Sequence, residues 1–132
     1  MNSDADQAPG QPGASGAGEC TLITPFGDRG LVDLVVHDPD ERAALLERAQ
    51  NLPVVPLSLR GQYDLEMLAV GAFTPLDRFM PQDEYESVLY EMHLEGGELF
   101  PIPLALPCRE EVLRGHPREV ALSDEEGTIL AL

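Results

Sequence analysis

Three histidines, His37, His93 and His116, and two cysteines, Cys20 and Cys108, are the residues through which this chain could hold a transition metal. A zinc site needs about four such ligands converging on one point. No cysteine stands near any of the histidines, and the histidines share no ligand spacing, so they read as surface or cap residues. Carboxylates gather at Asp124-Glu125-Glu126 and at Asp83, Glu84 and Glu86. Neither group has the alternating acidic loop, central Gly and closing Glu of a calcium site. A solvated turn and the positive end of a helix dipole account for them. For nucleophilic catalysis the local signatures are absent as well: there is no Gly-x-Ser-x-Gly, and Cys108 is followed by Arg109-Glu110-Glu111, which does not describe a poised thiolate. A triad assembled only in space leaves no local signature, and stays open on these grounds.

All eight basic residues are arginine, and 24 acidic residues bring the net charge to -16. Without lysine there is no phosphate-loop lysine, no Schiff base and no lysine general base. The charge balance also argues against nucleic acid, since polyanion binding rests on clustered cations, and here the arginines are scattered among acids. No apolar run approaches the roughly 20 residues of a membrane span, and no basic-then-apolar start marks a signal peptide, so a cytoplasmic protein is expected. The two cysteines then read as free thiols. The sequence thus assigns no catalytic, cofactor-binding or metal-ligating residue, no cofactor, and neither nucleic acid nor membrane as a partner.

The densest unusual stretch runs from Leu57-Ser58-Leu59-Arg60 to Phe79-Met80. Ser58 is a candidate N-cap and Gly71 the C-terminal stop of a helix that carries Leu65, Leu68 and Ala69 on one face and Asp64 and Glu66 elsewhere. A loop through Phe73-Thr74-Pro75-Leu76 leads to another helix, with Tyr85, Val88, Leu89 and Met92 at i, i+3, i+4, i+7, which Gly96-Gly97 should end. The plain reading is a helix–loop–helix in which Phe73 and Phe79 plug a core and Arg60 pairs with an acid.

The elements around it follow from the same rules. Residues 1–20 are rich in Gly, Pro and Ala and lack an apolar anchor, so a disordered leader is expected, followed by one domain over 21–132. After a turn at Pro25–Gly30, Leu31 to Val36 reads as a buried strand. Asp38 as N-cap, Pro39 in the first turn and Glu41 in a capping-box position open a helix with Leu45, Leu46, Ala49 and Leu52 on one stripe, stopped by Pro53. Val54 to Leu57 is a short strand that Pro56 confines to an edge or bend. Phe100, Ile102, Leu104 and Leu106 alternate with Pro101, Pro103 and Ala105, a period-two strand with one side left unpaired or bulged by the prolines. Glu110 to Leu113 is at most a helical turn, and Glu119–Leu122 with Thr128–Leu132 forms a hairpin. The sum is an α+β domain with a small mixed or antiparallel sheet and about three short helices.

The 57–80 stretch resembles the N-terminal, PUA-like domain of ATP sulfurylases (sulfate adenylyltransferases). That family carries Leu-Ser-x-Arg-Gln-x-x-Asp-Leu-Glu-x-Leu-x-x-Gly-Ala-Phe-Ser-Pro-Leu-x-Gly-Phe-Met. Ser58, Arg60, Asp64, Glu66, Gly71, Phe73, Pro75, Phe79 and Met80 match it in place. Pro25-Phe26-Gly27 with Leu31-Val32-Asp33-Leu34 resembles the family's opening motif, and Phe100-Pro101-Ile102-Pro103-Leu104 its Trp-Pro-Ile-Pro-Ile. The likeness runs from about Leu22 to Leu132, with Phe26, Gly61, Arg78 and Pro81 departing from the usual residues. It implies a structural or interface role for the matched residues, Pro101 and Pro103 included. The family's chemistry, ATP and sulfate to adenosine 5′-phosphosulfate and pyrophosphate, belongs to a separate domain with Gln-x-Arg-Asn-Pro and His-x-x-His segments, neither of which occurs here. The resemblance therefore implies a non-catalytic module, partnered by a homo-oligomer or a separate catalytic sulfurylase domain. The alternative is a fragment of an active sulfate adenylyltransferase with its catalytic domain encoded downstream. The last strand is expected to stop short of the family domain and leave an open sheet edge.

Overall fold

The computed structural model describes residue 25, residues 30–115 and residues 117–132. The expected leader, Cys20, Leu22, Phe26 to Arg29 and His116 lie outside the described residues.

Asp38 sets the first helix, α1 (Pro39–Ala49): its side chain accepts from the N–H groups of Asp40 and Glu41, at 2.7 and 3.2 Å. Strand β1 (Val54–Pro56) follows. Next come α2 (Leu59–Ala69), α3 (Gln82–Glu91), a single turn α4 (Glu110–Leu113), and the strands β2 (Ala121–Ser123) and β3 (Ile129–Ala131). The sheet order is β1-β2-β3, with β1 parallel to β2 in register Val55↔Leu122, and β2 antiparallel to β3. The parallel pair needs a long crossover, and the three later helices lie within it. Pro56 sits on an edge strand, where its missing N–H costs no ladder bond. At the hairpin turn the Asp124 carboxylate accepts from the N–H groups of Glu126 and Thr128.

Two apolar clusters form the core. Leu68, Leu76, Met80, Val88, Leu94 and Leu104 make the first, between α2, α3 and the chain after it. Val55, Leu57 and Leu122 make the second, on the sheet. Phe79 packs against both, so the loop after α2 joins the helical half to the sheet. Burying a side chain of the Val88 or Leu104 class contributes about 1.5–3 kcal/mol.

Three expectations need correction. Leu31 to Val36 is not a strand: it runs as irregular chain with Leu34 and Val35 exposed. Its neighbour is the end of α2, where Leu34 N–H donates to the Ala69 carbonyl at 2.9 Å, so β-branched residues suited to a ladder meet a helix end instead. The third helix ends before Gly96-Gly97, because Met92 turns left-handed (φ 59°) and its N–H closes onto the Val88 carbonyl. Phe100 N–H then donates to the Met92 carbonyl, and His93 bridges to Leu99. Phe100 to Leu106 forms no ladder; Leu104 is buried, Ile102 is exposed, and beyond the bond at Phe100 the segment is tied down by Met80 N–H to the Leu104 carbonyl at 2.9 Å. Proline at 101 and 103 removes the donors a ladder would need.

Candidate functional site

The helix–loop–helix of residues 57–80 is held at both ends of α2. Ser58 Oγ accepts from Gly61 N–H at 3.2 Å and caps the start. At the other end Ala72 N–H reaches the Met67 carbonyl and Gly71 N–H the Leu68 carbonyl, the paired bonds of a Schellman stop, with Gly71 at φ +81°. A Cβ at Gly71 would collide with the Val32 carbonyl oxygen and come within 2.8 Å of Leu31 Cδ1. Thr74 completes the knot: its Oγ1 donates to the Gly71 carbonyl at 2.6 Å and accepts from Val32 N–H at 3.1 Å. Residues 31–34 are thereby laid against the end of α2.

The matched residues divide into two sets. Gly71, Phe73, Pro75, Phe79 and Met80 are buried or half-buried packing residues; Phe73 meets Phe100 edge to face at 6.4 Å, and the Thr74–Pro75 bond is cis. Met80 is tied twice to Leu104, the second time through Leu104 N–H on its sulfur at 3.3 Å. Arg60, Asp64 and Glu66 stay on the outer side. Arg60 Nε lies 3.8 Å from Asp64 Oδ2, with the arginine side chain 86 % exposed, a loose pair that contributes little to stability. Pro101 is exposed and Pro103 half-buried beside Leu104. The structure therefore brings the aromatic and proline members together as packing and leaves the charged members without a shared focus.

The sequence reading missed one feature of α2. Leu59, Tyr63, Met67 and Val70 all stand on its outer side, between 45 and 58 % exposed. Their i, i+4, i+8, i+11 spacing is the signal that could have found them. They form an apolar stripe beside Arg60.

Two grooves flank this unit. One, of about 580 Å³, runs between residues 34–36, α1, α2 and β3, and is lined mostly by apolar side chains with Arg42, Asp77 and Arg78 as its charges. The other, of about 840 Å³, follows β1 past Ser58 and Gly61 to Cys108 and Arg109. Cys108 is an exposed free thiol. Among the described residues no three His, Cys, Asp or Glu side chains are grouped to hold a metal ion, and no helix is long and apolar enough to cross a membrane. Glu84, in the first turn of α3, is buried, and that desolvation pushes its carboxyl above the usual range; Arg78 opposes the shift and Glu95 and Asp83 add to it.

The family model described as a PUA-like domain matches residues 23–132. The chain belongs to the PUA-like domain family. This PUA-like domain is 46 % identical over 94 residues to a sulfate adenylyltransferase of Trichodesmium erythraeum, covering 70 % of this chain and 24 % of that protein. It is 41 % identical over 116 residues to a sulfate adenylyltransferase of Symbiobacterium thermophilum, covering 85 % and 28 %. It is 40 % identical over 113 residues to a probable bifunctional SAT/APS kinase of Sorangium cellulosum, covering 84 % and 19 %. Among solved structures it is similar to the hexameric APS kinase from Thiobacillus denitrificans, with a TM-score of 0.70 and 37 % identity over 83 % of this chain and 22 % of that one. The PUA-like domain thus spans between 19 and 28 % of the length of these relatives.

Proposed function

We propose that this PUA-like domain is a non-catalytic module of a sulfate adenylyltransferase relative, with a structural or interaction role in sulfate activation in the cytoplasm. The observation that carries the reading is the outer side of α2, in the motif shared with that family. The helix is fixed at both ends, yet its exposed side presents Leu59, Tyr63, Met67 and Val70 next to Arg60. Sulfate activation needs cations and donors gathered around a triphosphate and a sulfate. Here the charged residues of the motif are a loose pair and an isolated glutamate, and the residues that converge are apolar. The occupant of the α2 stripe is the catalytic part of a sulfate adenylyltransferase, because the relatives carry this domain as a minor share of a longer chain. The same coverage favours a second reading, in which the chain is a piece of an active sulfate adenylyltransferase and the parent activity is the right label. Homo-oligomerisation fits either reading, given the hexameric neighbour.

The test is a chimera in which this chain replaces the matched quarter of the Symbiobacterium thermophilum enzyme. The reading predicts retained adenosine 5′-phosphosulfate formation, lost or weakened when Tyr63 and Met67 are both changed to Glu. A chimera indifferent to those two changes would remove α2 as the contact.

A further inference from the structure

We infer that the outer face of α3, with the hairpin that follows it, docks a cationic, apolar segment of a partner polypeptide. This goes beyond the module reading and uses none of the α2 stripe. Gln82, Glu86 and Tyr90 stand at i, i+4 and i+8 and so share the outer side of α3. Gln82 Nε2 donates to Glu86 Oε1 at 2.8 Å, and Tyr90 is 80 % exposed, the most open large apolar side chain among the described residues. The chain then turns back at once. Phe100 N–H donates to the Met92 carbonyl at 2.8 Å, His93 bridges to Leu99, and Leu94 N–H donates to the Glu98 carbonyl at 3.0 Å. Ser87 Oγ donates to the His93 carbonyl at 2.8 Å and holds this hairpin against α3. Leu99, 56 % exposed, is thereby brought beside the helix end, where Leu89 and Met92 are exposed as well. Val88, Leu94 and Phe100 take the inner side of the same unit into the first core cluster. The apolar residues left outside have no cover among the described residues.

Charge selects the occupant. From Phe79 to Cys108 the sequence has no arginine, while Asp83, Glu84, Glu86, Glu91, Glu95 and Glu98 all fall within it. Glu86, Glu91 and Glu95 are exposed, and none of them makes an ion pair among the described residues. The apolar tip is therefore flanked by carboxylates that lack a cation. A segment that sets Arg or Lys beside Leu or aromatic side chains answers both features, and an arginine over the Tyr90 ring adds a cation–π contact. Nucleic acid, an anionic bilayer and a second copy of net charge -16 are all repelled at long range.

The test titrates the full chain, by amide NMR, with two synthetic peptides of Leu and Arg. One carries them at helical spacing; the other repeats Leu-Ser-Arg-Ser, which puts both on one side of an extended chain. Matched peptides carry Ser for Leu or Glu for Arg. The inference predicts saturable shifts centred on Glu86–Leu99 with one of the two Leu/Arg peptides. Affinity should weaken about tenfold with Tyr90→Ser plus Leu99→Ser and with the Ser-for-Leu peptide, and by about two- to fivefold with Glu86→Gln plus Glu91→Gln. The Glu peptide should not bind, and Tyr63→Glu plus Met67→Glu should leave the binding unchanged. Shifts spread equally over Asp124–Glu126, equal binding of the Ser-for-Leu peptide, indifference to Tyr90→Ser plus Leu99→Ser, no saturable binding of either Leu/Arg peptide, or a stable dimer with the Tyr90–Leu99 amides already protected from exchange would each overturn it.

Discussion

Replacing Gly71 by alanine tests how the start of the described chain is fastened to α2. Two separate costs arise. The residue sits at φ +81°, where a Cβ costs about 1–2 kcal/mol. The new Cβ also drives into the Val32 carbonyl, a backbone atom that cannot rotate away as a side chain can. Moving that carbonyl disturbs two bonds, Val32 N–H to Thr74 Oγ1 and Leu34 N–H to Ala69 carbonyl, at 3.1 and 2.9 Å. Each is worth about 0.5–1.5 kcal/mol net. Together Gly71→Ala should destabilise by about 2–5 kcal/mol. Gly97 supplies the control: it has φ +85° and no atom within 4 Å of a built Cβ, so Gly97→Ala carries only the first cost, about 1–2 kcal/mol. Urea unfolding of both variants, with equal m-values required, measures the difference. If Gly71→Ala falls within about 0.5 kcal/mol of Gly97→Ala, the close approach of Val32 does not exist and the reasoning fails.

Further outcomes follow from single groups. Asp38→Ala removes the acceptor for two N–H groups of α1 and should cost about 1 kcal/mol by the same unfolding measurement. Burial raises the Glu84 pKa, so the folded state binds this proton more tightly than the unfolded one. Its stabilising contribution is complete below the unfolded value and declines as pH rises through the raised folded value. Glu84→Gln should therefore raise the melting temperature at pH 7 and match the parent at about pH 3. Asp124 behaves oppositely: the N–H of Thr128 chiefly holds its carboxyl below the usual range, with Glu126 and Gly127 adding to the effect. That contribution is present above the unfolded pKa and lost as pH falls through the folded one. Asp124→Asn, which keeps an acceptor, should show a smaller acid-induced drop in melting temperature than the parent.

What could be read from the chain divides along the range of the interactions. The ends of α2 and the start of α1 were legible because Ser58, Gly71, Asp38 and Pro39 act within a few residues, through bonds the structure contains. The closing hairpin was legible for the same reason, with Asp124 and Gly127 in the turn. The strand expected at Leu31 to Val36 failed because a ladder needs a partner edge, and the fold presents a helix terminus there. The end of α3 was misplaced because Met92, a residue with no left-handed preference, takes the position glycine was expected to hold. In the candidate site, Phe73 and Phe79 were legible as core plugs from their place in the loop between two helices, and both pack against the first cluster. The outer stripe of α2 was readable by spacing, but Arg60, Asp64 and Glu66 are interleaved with it along the helix and mask its apolar period. The β3 groove was not readable at all, since it joins residues 34–36 to residues 129–132 across nearly the whole chain.

On the proposed reading, this PUA-like domain contributes contacts and not chemistry to sulfate activation. Calorimetric titration of the purified chain with Mg·ATP and sulfate, run beside a pyrophosphate-release assay, tests it most directly. A non-catalytic module gives a flat titration and no pyrophosphate. Saturable binding accompanied by pyrophosphate release would contradict it and place a working site among side chains that here show no common focus.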